Sequence, residues 1–168
     1  MQYIKKTNKV IQEIGKNISG LAILSMMTII VLDVVMRNIF KTSIPGSYVI
    51  IENFLMPIAI FPALGYVYMV HILPRLSEFI ERRSEKYQRI NKFMLLTIDV
   101  IVFGLLTYYT FLFFLDGFNN QIAVPVATNF VPLWPIYFVI PVGYLLVLQE
   151  VLLQLIHEIR HSLAKNKT

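Results

Sequence analysis

The chain has 168 residues, of which 57% are hydrophobic and only 15% charged, and its net charge is +5. A soluble domain carries about 25% charged residues, so a chain this apolar cannot cover itself with polar surface and takes lipid as its solvent. Cysteine is absent, which excludes disulfides, thiolate metal sites and a Cys nucleophile. The basic residues sit in short flanks beside apolar runs, which argues against the continuous basic face a nucleic acid needs.

The N-terminal segment reads first as an amphipathic helix. At about 100° per residue, Tyr3, Ile4, Val10, Ile11, Ile14 and Ile18 share one face, with Lys5, Lys9 and Lys16 opposite. Such a helix is expected to lie in the head-group plane before turning into the membrane. The first span follows at about 18–40. Its apolar run is too long for a cleaved signal peptide, and no small-residue cleavage site follows it. Pro45 and Gly46 then mark a tight turn.

A second span is expected at about 48–70, a third at about 93–115 and a fourth at about 133–156, each near the 20 apolar residues that cross a bilayer. Backbone groups in hydrocarbon must pair within their own segment, so the expected fold is an all-α integral membrane protein of four transmembrane helices. Pro57 and Pro62 in the second span, and Pro141 in the fourth, each remove a backbone donor and are expected to kink their helices. Between the second and third spans, residues 75–91 carry an imperfect apolar stripe, Leu76, Phe79, Ile80, Tyr87 and Ile90, interrupted by Arg83. This arm is read as a second interfacial helix. The whole chain, 1–168, is read as one membrane domain.

Thirteen of the fifteen basic residues fall in the N-terminal flank, the middle connection and the C-terminal tail. The first connection holds only Arg37 and Lys41, and the last has none. The positive-inside rule then places both termini and the middle connection on the cytoplasmic side.

Ionisable groups at membrane depth are costly and need partners. Asp33 and Arg37 stand at the i, i+4 spacing of a helical ion pair. Glu52 returns close to Arg37 after the short turn, so Arg37 has two candidate partners. Asp99 and Glu150 lie at comparable depth near the cytoplasmic edge, weakly extended by Gln149 and Gln154. His71 ends the second span, and His157 and His161 are four apart, but no further Cys, His or Glu completes a metal set, and no haem-facing pair is evident. No metal or cofactor is expected. No phosphate loop, nucleophile elbow or HExxH motif occurs, and no repeat of the kind that builds an autonomous transporter, so no enzyme activity is expected.

Several short pieces carry a resemblance. Arg37 and Phe40 close the first span before Ile44-Pro45-Gly46-Ser47. Glu52 precedes Leu55-Met56-Pro57 and Phe61-Pro62-Ala63-Leu64-Gly65. His71-Ile72 ends the second span, Pro132-Leu133-Trp134 opens the fourth, and Pro141-Val142-Gly143 lies within it. In order and spacing these resemble the small membrane subunit (Q-type) of tripartite ATP-independent periplasmic (TRAP) transporters. One departure is Leu73-Pro74-Arg75, where the family often has an acidic residue.

The resemblance implies a non-catalytic scaffold subunit of a sodium-coupled symporter for organic acids, of dicarboxylate or sialic-acid type, in the bacterial inner membrane. Its implied partners are a large membrane subunit that carries sodium and substrate, a periplasmic substrate-binding protein and membrane lipids. The connections at 41–47 and 119–134 are the implied docking surfaces, and Asp33, Arg37, Glu52, His71, Asp99, Trp134 and Glu150 the structural or partner-contact candidates. Two other readings stand beside it: a small channel or transporter lined by Asp33, Glu52, Asp99 and Glu150, and a haem-type membrane anchor of a redox enzyme.

Overall fold

The structure is a computed structural model that describes residues 2–70 and 85–165. Four long helices dominate it. Helix α1 spans Gln2–Phe40 and α2 spans Ser47–Met69. Helix α3 covers Glu85–Asn119 and α4 Trp134–Lys165. All four contain a stretch long and apolar enough to cross a membrane. The expected all-α, four-span architecture is therefore found.

The helices form a row in the order α1, α2, α4, α3. Helices α2 and α4 are central, and among the described residues no extended contact joins α1 to α3 at the two edges. Tyr68 of α2, Leu96 of α3, and Val147 and Val151 of α4 make a small buried cluster, flanked by Leu64, Val100, Phe103 and Leu155. Between helices in lipid there is no hydrophobic driving force, so such a seam is held by close packing and polar contacts. Most of α3 is left uncovered, with Phe93, Ile101, Leu105 and Tyr109 exposed.

The N-terminal amphipathic stretch is the start of α1, with no turn between it and the span. Val10, Ile11, Ile14 and Ile18 are exposed, as their shared face predicts. The buried face is a different one: Asn8, Gln12, Gly15, Ser19 and Ala22 recur at the alternating four- and three-residue steps of a helix–helix seam, and Asp33 lies on the same face further along. At about 1.5 Å per residue α1 is about 58 Å long, nearly twice the hydrocarbon thickness. Residues 85–91 of the expected arm belong to α3. The rest of it, with Leu76, Phe79 and Ile80, lies outside the described residues, as does His71.

Prolines shape α2 in two ways. Pro57 has no N–H and its ring crowds the preceding turn. The helix widens there to a π turn over Ile51–Leu55, in which the Met56 N–H donates to the Ile51 carbonyl five residues back. Pro62 stays inside the helix and leaves the Ile58 carbonyl without its helical donor.

The last connection holds a short antiparallel hairpin. Strand β1, Ala123–Val126, pairs with β2, Asn129–Pro132, in the register Val124 with Val131 and Val126 with Asn129. Ala127 takes φ 54° in the two-residue turn. The hairpin sits on the α1–α2 turn, where Val126 packs directly over Gly46. Gly46 has φ 77°, a conformation glycine alone adopts readily. The bundle thus has a hairpin end and, opposite it, a terminal end where α1 begins and α4 finishes.

Candidate functional site

The polar groups of the spans are used mainly to tie helix to helix. At the hairpin end, Asp33 organises the α1–α2 turn. One carboxylate oxygen accepts the Ile44 N–H at 2.7 Å and the Ser47 hydroxyl at 3.4 Å. The other accepts from the Arg37 guanidinium at 2.6 Å. The Arg37 side chain remains 64% exposed, so its head reaches the interface while its charge offsets that of Asp33. The choice left open for Arg37 is resolved in favour of Asp33. Glu52 is exposed in the π turn, and no contact joins it to Arg37 among the described residues.

The α1–α2 seam depends on small residues. A Cβ at Gly15 would collide with the Pro62 carbonyl, and one at Gly65 with the Gln12 amide. One turn along, the Ser19 hydroxyl donates to the Ile58 carbonyl at 3.3 Å. That is the acceptor that Pro62 leaves open, and lipid offers no water to satisfy it. The α2–α4 seam repeats the pattern, with Gly143 closely apposed to the Phe61 carbonyl.

Near the terminal end lies a buried amide–carboxylate cluster. Asn8 donates to Glu150 at 2.6 Å, and Gln154 donates to the other Glu150 oxygen at 3.0 Å. Gln12, fully buried, donates to Asn8 at 3.4 Å and to the Leu146 carbonyl at 3.3 Å. Its own Oε1 has no hydrogen-bond partner among the described residues and lies against Gly65. Both Glu150 oxygens thus accept from side-chain amides. Asn8 and Gln12 escape a sequence reading because they look like the polar face of a surface helix. The available signal was their step of four followed by Gly15 and Ser19.

Asp99 takes a separate partner, accepting from the Tyr68 hydroxyl at 2.5 Å, and so joins α3 to α2. Lys92 and Glu158 add an ion pair between α3 and α4 at 2.6 Å. Asp99 and Glu150 are therefore not a shared pair. Trp134 stands at the start of α4, edge-on to Phe118 with ring centroids 5.4 Å apart. Side chains of His157 and His161 lie outside the described residues.

Taken together, these residues form an interlocked membrane-spanning row with an ordered cap at the hairpin end. No curated protein matches the chain. Residues 26–161 match the family described as tripartite ATP-independent periplasmic transporters, DctQ component. The match runs from the middle of α1 to near the end of α4 and takes in every polar tie described above except those of Asn8, Gln12 and Ser19. The chain belongs to the DctQ component family of TRAP transporters and is a multi-pass membrane component of such a transporter.

Proposed function

We propose that the chain is the non-catalytic scaffold subunit of a sodium-coupled TRAP symporter for an organic acid of dicarboxylate or sialic-acid type. It binds the large transport subunit and helps dock a periplasmic substrate-binding protein. The chain acts as one membrane domain in the bacterial inner membrane, with both termini cytoplasmic. The observation that carries this reading is the way its polar groups are spent. Asp33 ties α1 to its turn, Asp99 ties α3 to α2, and Glu150 ties α4 to α1. A channel or carrier needs such groups on one path, whereas a static wall needs them at its seams.

In this reading Asp33, Asp99 and Glu150 are structural ties. Arg37, Glu52 and Trp134, at the hairpin end, are contacts for the partner or the interface. The hairpin and the α1–α2 turn, packed on each other at Gly46 and Val126, form the docking face. The exposed side of α3 supplies wall to the large subunit or to lipid.

Purification with and without the neighbouring large subunit tests this. The proposal expects a stable complex that, with the substrate-binding protein added, takes up substrate into proteoliposomes under an inward sodium gradient only when both chains are present. Ion or substrate flux through this chain alone would refute it.

A further inference from the structure

We propose that the terminal end of the α1–α2 groove is a binding site for the phosphate of an anionic phospholipid, with Lys16 as its cation. The Lys16 ammonium lies over the Tyr66 ring, 4.8 Å from its centroid. Among the described residues no carboxylate pairs with it. Its neighbour Lys9 is instead within 3.9 Å of Glu13. An ammonium held on an aromatic face, unneutralised, still has donors for an anion.

The depth of the pair fits a head group. Asp33 and Ser47 meet at the hairpin end. Counting down α1 from Asp33 to Lys16, and down α2 from Ser47 to Tyr66, gives about 25 Å and about 28 Å of helix. Both side chains thus stand near the far edge of a hydrocarbon layer of about 30 Å, where Tyr and Lys anchors gather.

The surface above Lys16 fits an acyl chain. A Cβ at Gly20 would meet nothing within 4 Å, so α1 has an open notch one turn along. Ile23 and Met27 continue the track on the same side and are both exposed. A charged head at Lys16 with an apolar strip rising from it is a lipid's chemistry, and the strip distinguishes it from a site for a free anion.

Native mass spectrometry of the full chain in mild detergent tests the site, with phosphatidylglycerol, phosphatidylcholine or inorganic phosphate added at equal concentration. Phosphatidylglycerol is expected to be retained about fivefold over phosphatidylcholine, as for a single basic contact with an anionic head group. Lys16→Gln should remove the preference, and Tyr66→Leu should weaken it. Lys16→Arg and Tyr66→Phe keep cation and ring and should preserve it, and Lys9→Gln should leave it unchanged. An unchanged preference in Lys16→Gln overturns the site. So does an equal loss in Lys9→Gln, or inorganic phosphate displacing the lipid adduct as effectively as phosphatidylglycerol binds.

Discussion

Ser19 of α1 donates its hydroxyl to the Ile58 carbonyl of α2, the group that Pro62 deprives of its own helical partner. A defect in one helix is thereby repaired by the next, and Gly15 lets the two backbones come close enough for it. Ser19→Ala is expected to lower stability by about 0.6 kcal/mol, the average worth of such a bond in a membrane. Gly15→Val drives a branched side chain into the Pro62 carbonyl and should cost about 1–3 kcal/mol or more. Thermal unfolding in detergent should rank the two in that order.

Glu150 and Asn8 form the longest-range polar tie described. A double-mutant cycle with Asn8→Ala and Glu150→Ala should give a coupling of about 0.6–1.7 kcal/mol, the range for hydrogen bonds between membrane helices. Asn8→Ala alone should be more harmful than replacing both residues by apolar ones of similar shape, because it leaves one carboxylate oxygen without its donor. Unfolding of the cycle's four proteins and of the doubly apolar variant under one set of conditions decides this.

Asp33 does two jobs that can be separated. Asp33→Ala removes the acceptor for Ile44 N–H and Ser47 together with the Arg37 pair. Asp33→Asn retains an acceptor for the turn and loses the charge. Arg37→Ala loses only a partner that is largely exposed. Melting temperatures should fall furthest for Asp33→Ala, less for Asp33→Asn and least for Arg37→Ala. Hydrogen exchange at Ile44 should rise in the first and stay near wild type in the last.

Gly46 combines a left-handed backbone with the packed face of the hairpin. Gly46→Val should cost about 1–2 kcal/mol in backbone strain alone, and its side chain would also displace Val126. Faster hydrogen exchange in both the 41–47 turn and the hairpin is the expected signature. A change confined to the turn would show that the two do not act as one surface.

The spans were readable because hydrocarbon imposes one demand, about 20 apolar residues in a helix, at each crossing. The Asp33–Arg37 pair could be named as a candidate because its spacing is local, but the sequence left Glu52 beside it as a second partner. The Asn8–Glu150 tie was not, since its partners are 142 residues apart and Asn8 resembles the wet side of a surface helix. Unbroken continuation of α1 through residues 2–17 follows from packing on α2 and α4, which no single-helix wheel contains. The hairpin was hidden by Pro125 and Pro132, residues that weaken a strand signal. It forms because β1 and β2 are both edges, and its seat at Gly46 is set by tertiary contact.

A static wall should work when one of its edge helices is immobilised. Helix α3 packs mainly on α4, and Lys92 and Glu158 face each other across that seam. The chain has no cysteine, so Lys92→Cys with Glu158→Cys can be bridged specifically by a short bifunctional thiol reagent. Sodium-driven substrate uptake by the reconstituted complex should proceed at nearly the same rate before and after bridging. Uptake that stops on bridging and returns when a reducible bridge is cleaved would contradict the scaffold role.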